Sequence, residues 1–134
     1  GIRTTNSGST TVTQLTNRIQ GTATTTDAAT QTLVFSFPLG ASPSNYQFDV
    51  SVSAFNVTDN LGATYKFIFP LRTDGISPFS YGLTSPIQNE EGAMSTIVVA
   101  LQGVIVDNTL KLRVNGLAGK TINWVSVGTY VQAN

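Results

Sequence analysis

A neutral chain of 134 residues, with seven Lys+Arg against seven Asp+Glu and only 10% charged side chains, lacks the basic excess that nucleic-acid phosphates demand of a partner. It has no cysteine and no histidine, which removes disulfides, thiolate nucleophiles, the commonest general base and the commonest transition-metal ligands. The length suits one domain with a real core, and no apolar run approaches the roughly 20 residues that span a bilayer, so membrane insertion is not expected.

The first ten residues, "GIRTTNSGST", are small and polar and read as a flexible arm or linker. They hold neither a signal-peptide core nor an initiator Met, and the expectation is a piece of a longer chain. Residues 11–26 carry sparse apolar positions (Val12, Leu15, Ile19, Ala23) among many threonines. That spacing fits a helix face, but the β-branched density favours an extended arm or a first strand. The expected division is an arm over 1–26 and a β-sandwich domain over 27–134.

From "QTLVFSF" onward the period is two. Leu33, Phe35 and Phe37 point one way, and Thr32, Val34 and Ser36 the other. Pro38, Gly40 and Pro43 end that strand. "YQFDVSVSAFNV" sets Tyr46, Phe48, Val50, Val52 and Ala54 on one face, with Phe55 and Val57 out of phase, which predicts a bulge or face switch near residue 54. "DNLG" (59–62) turns the chain into "TYKFIFPL", where Tyr65, Phe67, Phe69 and Leu71 share a face. Residues 72–92, rich in Gly, Pro and Ser, predict a long loop with a short edge strand. "MSTIVVALQGVIV" has helix-like spacing but strand-like composition, and strands are favoured. "DNT" (107–109) turns into "LKLRV", with Leu110, Leu112 and Val114 inward and Lys111 and Arg113 outward. Seven or eight short strands between turn signals predict an all-β, antiparallel sandwich of jelly-roll type with almost no helix.

"NGLAGKTINW" (115–124) superficially suggests a phosphate loop. A P-loop needs Gly-x4-Gly-Lys-Ser/Thr between a strand and a helix. Here Gly116 and Gly119 stand three apart and a β-run follows, so spacing and context both fail. The expectation is a hairpin in which both glycines supply φ > 0, Lys120 is solvated and Trp124 becomes a core anchor. Ile122 and Trp124 then have one parity, and Val125, Val127, Thr129 and Val131 the other. A strand apolar on both faces is expected to be buried on both, which makes Val125, Val127 and Val131 candidates for an oligomer interface.

The residues at the two ends carry a resemblance. "GSTTVTQLTNR" (8–18), "GTATTTDAATQTL" (21–33) and "LKLRVNGLAGKTINWV" (110–125) resemble a module of tailed-bacteriophage tail fibre and tail spike proteins, in which Thr-rich lead-ins and an Asn/Thr-Gly-x-Ala-Gly-Lys-x-Ile-x-Trp ending enclose a β-rich domain. Residues from about 40 to 105 match no such motif. The resemblance implies a β-sandwich, a homotrimer, a virion location among other virion structural proteins, and contact with a host-surface glycan or protein. The alternatives are a capsid decoration protein or head fibre, and a carbohydrate-binding module of a secreted bacterial protein.

No catalytic, metal or cofactor site is expected. Glycan hydrolysis needs two carboxylates facing each other across a cleft. Asp49 lies on the polar side of a strand, while Asp27, Asp59, Asp74, Glu90, Glu91 and Asp107 fall in predicted turns, where such residues shape the backbone. Asp59–Asn60 and Asp107–Asn108 lack the acidic array of a calcium loop. Asn56-Val57-Thr58 matches a glycosylation sequon, which has meaning only in a eukaryotic secretory pathway. Lys111, Arg113 and Lys120 make a small basic group of the solvated kind. The candidate contact residues are Phe79 and Tyr81, two aromatics set among Ser, Gly and Pro in the 74–91 loop.

Overall fold

In the computed structural model, which describes residues 17–82 and 86–134, nine strands follow in chain order. They are β1 (Arg18–Thr25), β2 (Thr32–Pro38), β3 (Ser44–Asn56), β4 (Leu61–Thr73), β5 (Pro78–Ser80), β6 (Ile87–Glu90), β7 (Val98–Val104), β8 (Thr109–Asn115) and β9 (Ile122–Ala133). One antiparallel sheet has the order β1-β9-β3-β4, with β5 and β6 sharing the far edge of β4; the other has the order β2-β8-β7. The inward faces of the two sheets form one core, the all-β sandwich that the alternation predicts. No α-helix occurs among the described residues; Gly92–Thr96 makes a 3₁₀ turn that buries Met94.

The longest strands follow the sequence period most closely. Tyr46, Phe48, Val50, Val52 and Ala54 of β3 are buried, as are Ala63, Tyr65, Phe67 and Leu71 of β4. Their pairing runs without a break from Ser44↔Thr73 to Asn56↔Leu61, so the face switch expected near residue 54 does not occur. Phe55 and Val57 simply face solvent, and Asn56 takes the last inward place. A polar residue is tolerated there because its Oδ1 accepts the N–H groups of Thr58 and Asp59, both at 3.0 Å. The sequon at Asn56 is thus locked inside the fold.

Elsewhere tertiary structure overrides the period. In β2 the pairing shifts between Leu33 and Phe35, so Val34 is an extra residue opposite β8. Val34 and Phe35 are both buried and Leu33 is exposed, which reverses the expected side for Leu33 and Val34. β1, inside the 1–26 segment, pairs with β9 along its whole length, from Arg18↔Thr129 to Thr25↔Ile122. Val12 and Leu15 lie outside the described residues. The 72–92 stretch holds two short strands, and β6 is tied down by its acidic end. The Tyr65 hydroxyl donates to the Glu90 carboxylate, and Glu91 accepts the Gly62 N–H at 2.7 Å. Burial, then the Glu90 bond and its charge, push the Tyr65 phenol well above its ordinary value, so it remains a proton donor.

The 116–121 segment is not a hairpin. It carries the chain from β8 in one sheet to β9 in the other. Only Gly119 has positive φ (72°). Gly116 is needed for a different reason: a Cβ there would lie 2.3 Å from Thr25 Oγ1. That same oxygen accepts the indole N–H of Trp124 at 3.0 Å. Trp124 is 1% exposed and fills the core at this end. At the other end Phe37 of β2 meets Tyr46 and Phe48 edge-on and packs 4.9 Å from the Tyr130 ring, joining the sheets a second time.

Removing the indole should therefore cost about 3–5 kcal/mol in Trp124→Ala, and stranding its N–H in Thr25→Val about 1–3 kcal/mol. Urea unfolding of both variants checks this; near-native midpoints would place the ring outside the core.

Candidate functional site

The β4–β5 turn is built from Asp74 and Gly75. Asp74 Oδ1 accepts the N–H groups of Ile76 and Ser77, each at 2.8 Å, and Gly75 sits at φ 97°, so the chain folds straight back. The return sets the register Leu71↔Ser80, Arg72↔Phe79, Thr73↔Pro78. Leu71 is fully buried, so parity sends Arg72 outward, and its cross-strand partner Phe79 goes with it. The Arg72 guanidinium stands 4.5 Å above the Phe79 ring centre, a cation–π contact. Phe79 remains 52% exposed and Tyr81 50% exposed. The Tyr81 hydroxyl donates to Asn45 Oδ1 at 2.9 Å, which fixes the ring against the start of β3.

Arg72, Tyr81, Asn45, Asp74 and Asn134 line a cleft of about 680 Å³ at this end of the sheet. The cleft offers an aromatic face, a guanidinium, side-chain amides and one carboxylate. Asp74 is held below its ordinary value by the Ser77 and Ile76 N–H groups, with the Arg72 charge adding to it, so it is ionised throughout the neutral range. The arrangement suits planar or polyhydroxylated surfaces that stack on rings and accept hydrogen bonds. Phe79 and Tyr81 were visible in the sequence as aromatics in a polar loop. Arg72 and Asn45 were not singled out there, although the outward parity opposite Leu71 marks Arg72.

The second candidate set lies on the same outer face. β9 is the strand between β1 and β3, and Val125, Val127 and Val131 all point outward and are exposed in the single chain, where burial on both faces was expected. Val127 has Gln20 and Ser51 as neighbours, and Val125 has Thr22 and Ser53. Beyond β3 the floor continues through Thr64 to Ile87 and Asn89 of β6, making a shallow groove of about 350 Å³ with valines on one wall and Ile87 on the other. Small Ser and Thr side chains form its floor. The Asp49–Lys66 ion pair, 2.9 Å, spans β3 and β4 on this face.

The other sequence candidates separate. Lys111 pairs with Asp107, and Lys120 pairs with Asp59 at 3.0 Å, so Lys120 is not simply solvated. The turn acids do what turn acids do: Asp27 accepts the Thr30 N–H at 2.7 Å, and Asp107 accepts the Thr109 hydroxyl at 2.6 Å.

No protein-family model matches the chain, and no curated protein matches it. Two solved structures are similar to it. The tailspike protein of Acinetobacter phage vB_ApiP_P1 aligns with TM-score 0.37 and 17% identity over 98% of this chain and 26% of its own. The tailspike protein of Acinetobacter baumannii phage AM24 aligns with TM-score 0.39 and 11% identity over 87% of this chain and 27% of its own. The chain thus spans about a quarter of the length of each of these proteins.

The Ser77 and Ile76 N–H groups make Asp74 easier to ionise in the fold than in the unfolded chain. A carboxylate ionised more easily in the fold than in the unfolded chain stabilises the fold above the ordinary carboxylate range. That stabilisation is lost as pH falls through the folded value. The Ile76 and Ser77 amide resonances should therefore hold steady through neutral pH and shift only in acid, below the ordinary aspartate range. A shift between pH 5 and 7 would contradict the turn geometry.

Proposed function

We propose that the chain is a structural and binding domain of a bacteriophage virion, a homotrimeric part of a tail fibre or spike that contributes to host attachment and performs no catalysis. One observation carries this reading: a single outer sheet face holds both the exposed valines of β9 and, at its end, the cleft lined by Arg72 and Tyr81, with the Phe79 ring packed against the Arg72 guanidinium beside it. The valine side suits a partner subunit, and the cleft suits a ligand. The resemblance of the chain's two ends to tail fibre and tail spike modules supports the same assignment.

The physics of such a role is consistent with the composition. With charged residues at 10% and no net charge, copies of the chain repel one another little. An obligate interface should bury more than about 2,000 Å² and be more apolar than the remaining surface. Val125, Val127 and Ile87 supply its apolar centre, and Ser51, Ser53 and Thr64 leave room for a partner's side chains. Three copies would present three clefts. Weak binding of a host glycan or protein at each then becomes firm attachment through effective concentration. Other virion proteins would hold the trimer in place.

Sedimentation at tens of micromolar tests the proposal. The chain should run as three chain masses, and Val127→Asp should release folded monomers. A native monomer with glycan affinity would instead favour a carbohydrate-binding module. A trimer whose Tyr81→Ala variant still attaches to cells normally would remove the cleft from attachment.

A further inference from the structure

The β3–β4 turn and the segment leading into β9 meet at three side chains that the binding role does not use. Asn56 is fully buried. Its Oδ1 accepts two backbone N–H groups, from Thr58 and Asp59, each at 3.0 Å. Its Nδ2 donates to Asp59 Oδ2 at 3.2 Å, and Lys120 Nζ donates to the other oxygen of that carboxylate, Oδ1, at 3.0 Å. Asp59 therefore bridges an amine and a carboxamide. Two further hydrogen bonds join the segments: the Val57 N–H donates to the Thr121 carbonyl, and the Thr121 N–H to Thr58 Oγ1, both at 3.0 Å.

We infer that this is a site for a self-formed amide cross-link between Lys120 and Asn56. The groups that such a step needs, an amine, a carboxylate and a carboxamide, belong to one hydrogen-bonded cluster. A lysine amine is a competent nucleophile once deprotonated, and a base within hydrogen-bond reach can take its proton. Asp59 is that base. The electrophile is the Asn56 Cγ, whose oxygen faces two backbone N–H donors at the distance of an oxyanion hole, so negative charge developing on it is stabilised. The leaving nitrogen, Nδ2, already touches the same carboxylate, which can return a proton to it.

The step balances without a cofactor or oxidant. The Lys120 ammonium passes a proton to Asp59, and the freed lone pair adds to Cγ. The Cγ–Nδ2 bond then breaks. The two protons lost by Nζ leave on the departing nitrogen, so ammonium is released and Asp59 ends as the carboxylate it began as. Nothing is oxidised or reduced. The product ties the end of β3 to the lead-in of β9, which pair at Asn56↔Ile122, and so pins the central strand. A chain without cysteine has no disulfide to do this.

Intact-mass spectrometry of the folded full chain tests the inference. The expected mass is one ammonia below that of the sequence, with a single joined peptide containing residues 56 and 120 after digestion. Lys120→Arg keeps the charge of a partly exposed position but lacks the nucleophilic amine, and it should restore the full mass. Asp59→Asn should do the same, with circular dichroism confirming its fold. A full sequence mass after prolonged incubation of the folded chain would overturn the inference. So would an ammonia loss that persists in Lys120→Arg.

Discussion

One buried hydrogen bond, from the Trp124 indole N–H to Thr25 Oγ1, sets the geometry from which the rest of the fold follows. An indole is too large to leave outside the core, and its N–H is costly to bury alone. Thr25 at the end of β1 answers it, and Gly116 lets the chain pass against that same oxygen on its way from one sheet to the other. The end of β1 is thereby fixed against the β8–β9 connection and the start of β9, which lie far along the chain from it. With Trp124 inward, the parity of β9 is decided, and Val125, Val127 and Val131 must face out. β9 then imposes its register on β1 and β3, and β3 on β4. The Arg72–Phe79 contact stands at the end of that chain of registers.

Much of the sandwich was legible because β3, β4 and β8 alternate cleanly and bury one face each. Legibility failed where a non-local contact outweighed the local period. Leu33 gave way to Val34 because a bulge brings two consecutive β2 residues to the core. The Val34 carbonyl lies so near β1 that a Cβ on Gly21 would meet it at 2.2 Å, and only the partner strand reveals that requirement. Gly116 and Gly119 look alike in sequence, yet one serves a close approach and the other a left-handed turn. β5 and β6 are too short to show a period, and they exist because β4 offers them an open edge.

The candidate site was legible by half. Phe79 and Tyr81 stand out as aromatics without an alternating neighbourhood. Their partners Arg72 and Asn45 become meaningful only once the β4–β5 and β3–β4 registers are known. The outward valines show the converse. Their hydrophobicity made them candidates for an oligomer interface, and in the single chain the packing leaves them on the solvent-facing side of the sheet. Asn56 shows how a short motif misleads: the sequon is present in the sequence, but the amide nitrogen belongs to an internal network with Asp59 and Lys120.

The dependence of the whole arrangement on the Trp124–Thr25 bond is measurable at one proton. Hydrogen exchange of the Trp124 indole N–H, followed by NMR, should require global unfolding, with a protection free energy equal to the chain's unfolding free energy. Exchange from the folded state at close to the rate of a free indole would show that the bond does not hold, and the account of how β9 sets the outer face would fail with it.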